Sequence, residues 1–186
     1  QWATRIWWLL RITGFDNARV LNGGLTKWKL DQRDVTDQQT IYPSAKLTTA
    51  PRTGLMASKD DVFKAIDEPA TCTINALRRA QHTGQDDGEF GNYGRPGHIS
   101  GSVNVPTVEL VDGTTTEFLT SQEIATKFHE IGVDKANRIV TYCGGGIAAS
   151  ATAMVLVMLG FDNVSLYDAS LSEWAPTQSL PMDTLN

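Results

Sequence analysis

The stretch best suited to chemistry is a cysteine followed by three glycines. Cys143 precedes Gly144–Gly146. The β-branched and aromatic run 138–142 comes before it and predicts a short buried strand. The run 148–159, rich in Ala, Met and Leu, comes after it and predicts a helix. We therefore expect Cys143 at a turn between a strand and a helix.

Such a turn can activate a sulfur atom. Glycines permit backbone conformations with positive φ that other side chains forbid. A curled backbone ahead of a helix directs several N–H groups at one point, near the positive end of the helix dipole. A sulfur at that point is stabilised as thiolate, the nucleophilic form. The same stretch also fits an ordinary glycine-rich turn with an inert cysteine, so other parts of the chain must decide between the two.

Composition excludes several classes of protein. The chain has 186 residues, 41% hydrophobic and 20% charged, which is typical of a soluble globular protein of about one domain. A net charge of −5, spread along the chain, favours neither a nucleic-acid surface nor a membrane-binding patch. The two cysteines, Cys72 and Cys143, have no metal-ligand spacing, and such sparse usage predicts a reducing, cytoplasmic compartment. The most apolar run, 147–161, is too short to cross a bilayer.

Strands and helices alternate along the chain, which predicts an α/β domain with a parallel sheet covered on both faces. The predicted strands are 19–21, 71–77, 98–106, 138–142 and 164–167. The predicted helices are 3–10, 25–30, 58–67, 120–131, 148–159 and 171–175. Residues 78–97 are polar and glycine-rich, and we interpret them as a functional loop without regular structure. Catalytic groups in parallel sheets gather at the carboxyl ends of strands, where Cys143 is expected.

An internal repeat is visible at the two ends of the chain. The sequence Gly-Phe-Asp-Asn occurs at 14–17 and again at 160–163, an offset of 146 (160 − 14). At the same offset Trp28 falls on Trp174. Matching helix, glycine, strand and tryptophan signals in one register predict a tandem duplication.

The repeat also predicts the domain organisation. Applied to Cys143, the offset gives position −3 (143 − 146), before the first residue. We therefore expect 1–34 to be the C-terminal remnant of a non-catalytic first domain, 35–57 a linker and 58–186 the catalytic domain. Residues 1–30 cannot bury their apolar face alone. They are expected to pack on the second domain, on a missing first-domain segment or on a second chain.

The order of motifs resembles the rhodanese superfamily, specifically its tandem-domain sulfurtransferases. The motifs that carry the resemblance are Gly-His-Ile-Ser-Gly-Ser at 97–102, Cys-Gly-Gly-Gly-Ile-Ala-Ala-Ser at 143–150 and Tyr-Asp-Ala-Ser-Leu-Ser-Glu-Trp at 167–174. Trp7-Trp8 and Leu-Asn-Gly-Gly at 21–24 resemble the end of the non-catalytic first domain. The resemblance implies a rhodanese-like doubly wound parallel sheet with helices on both faces.

The same resemblance implies transfer of a sulfane sulfur. Cys143 would take the sulfur from a small anionic donor, thiosulfate or 3-mercaptopyruvate, hold it as a persulfide and pass it to cyanide or a thiol. No metal or organic cofactor is implied. The backbone amides that would stabilise the thiolate and persulfide belong to Gly144, Gly145, Gly146, Ile147 and Ala148.

The chain departs from the family pattern in its cations. Thiosulfate-using members commonly carry basic residues directly after the cysteine, where this chain has Gly144 and Gly145. Mercaptopyruvate-using members commonly have Gly then Ser there, so Gly145 lacks the hydroxyl. Gln81 falls where the family often has an anion-binding Arg, and Asn75 where it often has Asp. The identity of the donor stays open.

An anionic donor still requires a positive charge. Arg95 is the first candidate, because its loop is expected to end near Cys143; Arg78 and Arg79 are further candidates. His98 is expected to make a structural hydrogen bond. His82 and His129 are interpreted as surface residues. Asp168 is expected either to brace the cysteine turn or an arginine, or to cap a helix.

Two rival functions remain. A cysteine-dependent phosphatase would require an arginine at the far end of the turn, at position 149, where the chain has Ala149. A rhodanese-like module that carries sulfur or mediates protein contacts would not require the missing basic residues, and it is the alternative to an enzyme.

Overall fold

The structure is a computed structural model, and it describes residues 1–86, 88, 89 and 91–185. The α-helices are α1 (Trp2–Ile12), α2 (Gly24–Leu30), α3 (Lys59–Ala65), α4 (Arg79–Thr83), α5 (Ser121–Glu130), α6 (Ile147–Met158) and α7 (Ser170–Trp174). The strands are β1 (Thr71–Asn75), β2 (His98–Ile99), β3 (Val103–Asn104), β4 (Arg138–Tyr142), β5 (Val164–Leu166) and β6 (Met182–Asp183). Short 3-10 helices span Thr107–Leu110 and Val133–Lys135.

The main sheet is parallel and has the strand order β3-β1-β4-β5. Successive side chains of a strand point to opposite faces, and β4 follows this rule, with Ile139 in one apolar cluster and Val140 in another. The first cluster contains buried residues of α1, α5 and α6, and the second contains residues of α3 and α7. The predicted fold class, a parallel sheet with helices on both faces, is therefore confirmed.

Helix α1 packs on α6, which corresponds to the first of the three arrangements expected for residues 1–30. Trp8 is fully buried in the first apolar cluster, and its indole N–H donates to the Leu55 carbonyl at 3.2 Å. The hydroxyls of Thr4 and Ser150 lie 3.0 Å apart across the two helices. Burial of Thr4 and Trp8, at i and i+4, gives α1 one buried face toward the sheet.

Local signals fix the helix ends well. Ser58 and Thr120 cap α3 and α5, each in a capping box with an acidic residue three positions later. Gly132 follows α5 with a φ of 75°. Hydrogen-bonding side chains within three residues of a helix end require no tertiary context, and α3 and α5 begin within one residue of the predicted starts at 58 and 120.

Three predicted segments differ in the structure. Residues 19–21 are not a strand, because they pair with no other strand in the described part of the chain. The predicted strand 98–106 is interrupted by a turn and divides between two sheets: β2 pairs with β6, antiparallel, and β3 with β1. The predicted loop 78–97 contains helix α4.

Part of the segment interpreted as a linker is also docked. The Ala50 and Arg52 N–H groups donate to carbonyls at the end of α1, and the Ala57 N–H donates to the Leu166 carbonyl. Residues 50–57 therefore connect α1 to the edge of the sheet at β5.

A buried pair of histidines lies beside the main sheet. The rings of His82 and His98 stack with centroids 3.8 Å apart, and His98 Nδ1 lies 2.7 Å from the His82 carbonyl oxygen. His82 Nδ1 lies 3.3 Å from the Asn75 amide nitrogen, and its side chain is buried. The expectation that His82 is a surface residue is wrong, because α4 turns it inward, whereas His129 is exposed as predicted.

This pair predicts a loss of stability in acid. Burial, with the nearby charges of His98 and Arg79, lowers the pKa of His82 from 6.5 to about 4. Between these two pKa values the unfolded chain binds a proton at His82 and the folded chain does not. The free energy of unfolding therefore falls as the pH falls from 6.5 to 4, by up to about 3 kcal/mol. Urea unfolding of His82→Gln should show a flatter pH dependence in this window, whereas the exposed control His129→Gln should keep the wild-type slope. Equal slopes for wild type and His82→Gln would contradict this assignment.

Candidate active site

Cys143 lies directly after β4, and α6 begins at Ile147. The turn between them, residues 143–146, is called the cysteine loop below. Gly146 adopts a φ of 79°, in the left-handed region that favours glycine. The predicted strand, turn and helix around Cys143 therefore form. The cysteine itself is only 3% exposed and packs in the first apolar cluster.

The start of α7 anchors the first half of the cysteine loop. The Leu171 N–H donates to the Cys143 carbonyl at 3.1 Å. The N–H and the hydroxyl of Ser172 both donate to the Gly144 carbonyl, at 2.9 and 2.6 Å. The Cys143 N–H in turn donates to the Ser170 hydroxyl at 3.0 Å. These contacts hold both carbonyls against α7.

An arginine from α1 anchors the second half. One Arg5 nitrogen donates to the Gly145 carbonyl at 3.0 Å, and another donates to Asp168 Oδ2 at 2.8 Å. The Arg5–Asp168 ion pair lies against Gly146, where a Cβ atom would be only 2.5 Å from the guanidinium. Asp168 thus braces an arginine, one of its two expected roles.

The sequence alone did not reveal Arg5 as part of this site. One available signal was that the helix with Trp7 and Trp8 needs a partner. The other was the repeat offset of 146, which equals the separation in sequence between Thr4 and Ser150, two residues that are in contact. The packing of α1 on α6 places Arg5, the residue after Thr4, within hydrogen-bond distance of the Gly145 carbonyl.

The amide groups of the loop remain available to a ligand. Among the described residues, none accepts a hydrogen bond from the N–H groups of Gly144, Gly145, Gly146, Ile147 or Ala148. The first N–H groups of a helix have no acceptor within the helix itself. With the loop carbonyls anchored on α7 and Arg5, these five amides form a set of donors beside Cys143 that suits an anion.

Arg95, the first candidate for binding an anionic donor, has a different role in the structure. Its guanidinium donates to the carbonyls of Ala175, Thr177 and Leu180 at 2.8, 2.8 and 2.9 Å. Arg95 therefore fastens the segment after α7 to its own loop. Most of its donors are therefore used by backbone carbonyls, and the binding of a substrate by Arg95 stays a prediction.

The other two arginines lie on α4 and at its start. Arg79 makes a paired ionic contact with Glu109, at 2.9 and 2.8 Å, and its side chain is 65% exposed. Arg78 is an exposed residue that precedes α4. The carboxylate partner of Arg79 is Glu109, so its charge is already paired. Gln81, at the position where the family often has Arg, is buried.

Tyr93 covers the loop on its open side, and sequence reasoning missed it. A Cβ atom at Gly144 would overlap the Tyr93 hydroxyl and its Cζ. The aromatic side chain of Tyr93 also lines an adjoining cavity of about 200 Å³, which Gln81, Asp86, Arg95 and Leu171 line as well. The signal in the sequence was the glycine at position 144, because a missing side chain beside the cysteine leaves room for a group from elsewhere in the chain.

The described residues contain no group of three or more His, Cys, Asp and Glu side chains arranged to hold a metal ion. In the same part of the chain, no helix is both long and apolar enough to cross a membrane.

Comparison with known proteins agrees with this architecture. The model of the family described as "Rhodanese-like domain" matches residues 78–177, more than half of the chain. A fold with a parallel sheet, and a cysteine loop that opens onto a helix, define the class, and the chain belongs to the rhodanese family.

Two curated relatives extend the match to nearly the whole chain. It is 32% identical over 183 residues to 3-mercaptopyruvate sulfurtransferase of Escherichia coli O157:H7, covering 98% of this chain and 64% of that protein. It is 31% identical over 203 residues to thiosulfate/3-mercaptopyruvate sulfurtransferase 2 of Arabidopsis thaliana, covering 97% of this chain and 58% of the relative. The chain thus spans about 60% of the length of the curated relatives it matches.

Solved structures show the same fold. A structure of EanB in complex with ergothioneine superposes with a TM-score of 0.87 at 19% identity, covering 98% of this chain and 45% of that one. The anaerobic ergothioneine biosynthesis enzyme from Chlorobium limicola, with trimethyl histidine, gives a TM-score of 0.86 at 19% identity, covering 98% and 45%. At this level of identity the likeness concerns the fold.

Proposed function

We propose that the chain is the catalytic part of a sulfurtransferase that uses Cys143 as nucleophile. In the first half-reaction the Cys143 thiolate attacks the transferable sulfur of the donor and forms an S–S bond. With thiosulfate, the bond to the sulfonate sulfur breaks and sulfite leaves with the electron pair. With 3-mercaptopyruvate, the C–S bond breaks, and the carbon takes up a proton to give pyruvate.

The second half-reaction regenerates the cysteine. Cyanide or a thiolate attacks the outer sulfur of the persulfide, a new bond to that sulfur forms, and the S–S bond breaks with its electron pair returning to Cys143. Thiocyanate or a new persulfide leaves. The enzyme sulfur is anionic before and after each transfer, so a site that stabilises negative charge at one point serves both steps.

One observation carries this proposal: the cysteine loop has its carbonyls anchored and its amides without an acceptor among the described residues. Five N–H groups next to a cysteine, at the N-terminus of a twelve-residue helix, can stabilise a thiolate and a persulfide without any cation. The names of the curated relatives support the same reaction type.

The test is persulfide formation on Cys143. The purified chain is incubated with thiosulfate or with 3-mercaptopyruvate, and its intact mass should rise by about 32 Da, one sulfur atom, then return when cyanide is added. Peptide mapping should place the sulfur on Cys143. No gain from either donor would reject the enzymatic proposal.

A sulfur-carrier or protein-contact module is the second candidate, and the burial of Cys143 favours it, since only 3% of the residue is exposed. A carrier would accept sulfur from a protein persulfide but not from either small donor. A cysteine-dependent phosphatase has no support, because position 149 is a fully buried alanine.

Gly145 offers a test of donor preference. A Cβ atom there would meet nothing closer than the Ser172 hydroxyl at 3.8 Å, so the position has room for a side chain. We expect Gly145→Arg to raise kcat/KM for thiosulfate by about tenfold, because a cation is added beside a dianion. The neutral variant Gly145→Gln, of similar size, controls for bulk. Equal rates for the two variants would reject anion attraction as the limiting factor.

For domain organisation we propose that residues 1–34 belong to a first, non-catalytic rhodanese-like unit, 35–57 connect the units, and 58–186 form the catalytic one. The contact between Thr4 and Ser150 supports this division. Their separation equals the repeat offset, so two equivalent positions touch each other. Such a contact is typical of two repeats related by an approximate two-fold axis.

A further inference from the structure

The hydroxyl of Tyr93 lies against the cysteine loop. A Cβ atom at Gly144 would overlap this hydroxyl, and a Cβ atom at Gly91 would lie 3.1 Å from it. The phenol end of Tyr93 therefore sits between two glycines, one of them directly after Cys143. Among the described residues, none accepts or donates a hydrogen bond with the Tyr93 hydroxyl.

The side chain reaches this point because its loop turns tightly. The Gly94 N–H donates to the Asn92 side chain at 2.8 Å, and Gly91 and Gly94 have φ values of 118° and 115°. These conformations, which favour glycine, bring the Tyr93 hydroxyl back against Gly144. The contacts of Arg95 with three carbonyls fix the next residues of the loop.

The two arginines near the cysteine loop already donate to other groups, so neither is free to donate a hydrogen bond to the Cys143 sulfur. The Arg5 guanidinium is paired with Asp168, and that of Arg95 is bound to backbone carbonyls. Asp86, which also lines the cavity beside Tyr93, is acidic. In the described part of the site, Tyr93 is thus a neutral donor whose hydroxyl is not already engaged.

The phenol keeps its proton at neutral pH. Burial, then the negative charges of Cys143 and Asp86, raise the pKa of Tyr93. A phenolate would be repelled by the Cys143 thiolate. The phenol beside that thiolate therefore keeps its proton and can donate a hydrogen bond. Tyr93 is therefore available as a donor under the conditions in which the cysteine reacts.

We propose that the Tyr93 hydroxyl is a catalytic group that donates a hydrogen bond to the sulfur anion at Cys143. It does so first to the thiolate and then, given the proposed sulfurtransferase function, to the outer sulfur of the persulfide. No bond is made or broken at Tyr93. The hydroxyl occupies the space that a side chain at position 144 would need.

Two readouts test the proposal in the full chain. The first is the rate at which iodoacetamide alkylates Cys143 at pH 7, mapped by peptide mass, which requires no sulfur donor. Tyr93→Phe should lower it by about tenfold, because a hydrogen bond to a charged group is removed while the ring still covers the loop. Alkylation of Cys72, whose pKa burial raises to about 11, is the internal control and should not change. The second readout is the single-turnover rate of persulfide formation, which should fall by a similar factor.

The geometry supplies a matched set of variants. Gly144→Ala should displace the Tyr93 hydroxyl and reproduce the effect of Tyr93→Phe on alkylation. In the Gly144→Ala background the Tyr93→Phe change should have little further effect, whereas in the Gly145→Ala background it should keep its full effect. Tyr42→Phe, at a residue 80% exposed, should behave as wild type.

The outcomes separate this proposal from the proposed function. Wild-type alkylation rates in Tyr93→Phe, or effects of Tyr93→Phe and Gly144→Ala that multiply, would overturn the role of Tyr93 even if persulfide forms normally. A tenfold slower alkylation in Tyr93→Phe supports the hydrogen bond to the thiolate even if no donor yields a persulfide, in which case it is the sulfurtransferase function that fails.

Discussion

Cys143→Ser is expected to abolish sulfur transfer, lowering it by at least about a thousandfold, while the chain stays folded. A serine oxygen is a far weaker nucleophile at neutral pH and cannot form a persulfide. Retention of the fold is expected because the change is small and the backbone of the loop is held independently by α7. The free loop amides can also hydrogen-bond the new hydroxyl, so stability should change by no more than about 1 kcal/mol.

The measurement combines turnover with mass. Cyanide-dependent thiocyanate formation is followed with each donor, and the intact mass is recorded after incubation with donor alone. Cys72→Ser is the matched control, since Cys72 is half-buried in β1 and burial raises the pKa of its thiol to about 11. Its transfer rate should equal that of wild type. Sulfur uptake by Cys143→Ser, or a loss of sulfur uptake in Cys72→Ser, would show that Cys143 is not the cysteine that carries the sulfur.

Gly146→Ala is expected to impair both stability and activity, because Gly146 lies against the ion pair between Arg5 of α1 and Asp168. A Cβ atom there would overlap the Asp168 carboxylate and lie 2.5 Å from the Arg5 guanidinium and 2.8 Å from the Asp168 carbonyl oxygen. The φ of 79° is also strained for alanine. Strain and a separated ion pair together should lower the free energy of unfolding by about 2–4 kcal/mol. Sulfur transfer should fall by about tenfold or more, because Arg5 no longer holds the Gly145 carbonyl.

Gly132→Ala provides the matched control. Gly132 has nearly the same φ, 75°, but a Cβ atom there would meet nothing within 4 Å. Only the backbone strain remains, about 1 kcal/mol, and transfer should be unaffected. Denaturant unfolding and single-turnover persulfide formation are compared for both variants. A loss in Gly146→Ala no larger than in Gly132→Ala would mean that the Arg5–Asp168 contact does not organise the loop.

Arg5→Ala separates strain from the ion pair. It removes the donor to Gly145 without changing the backbone at Gly146, so transfer should fall while the strain term is absent. In the double variant Arg5→Ala/Gly146→Ala, the loss of transfer should be smaller than the sum of the losses in the two single variants, because both changes break the same contact. Full additivity would indicate that Gly146 acts only through its own backbone conformation.

Much of the neighbourhood of Cys143 could be predicted from the sequence. The β-branched run before it, the glycines and the apolar run after it form β4, the cysteine loop and α6 within one or two residues of expectation. The predicted helices 58–67 and 120–131 begin at Lys59 and Ser121 in the structure, after the capping residues Ser58 and Thr120. These features depend on residues a few positions apart, and local periodicity and backbone preference are sufficient to specify them.

The placement of charged and aromatic side chains could not be read the same way. Arg95 was a reasonable candidate for a substrate cation, yet its guanidinium is taken by carbonyls more than 79 residues away. Arg5 lies 163 positions from Asp168, and it approaches the loop only because α1 packs on α6. His82 turned inward with α4, a helix that the polar composition of 78–97 concealed.

The amino-acid sequence therefore determined where Cys143 stands between a strand and a helix, which backbone surrounds it and to which family the order of motifs points. The tertiary structure decided which long side chains reach the loop: Arg5 donates to the Gly145 carbonyl, Tyr93 lies against Gly144, and Arg95 binds backbone carbonyls. The physical reason is range. Backbone geometry is set by neighbours within a turn or a strand, whereas the partner of a long side chain depends on which helix faces which sheet edge once the apolar faces are buried.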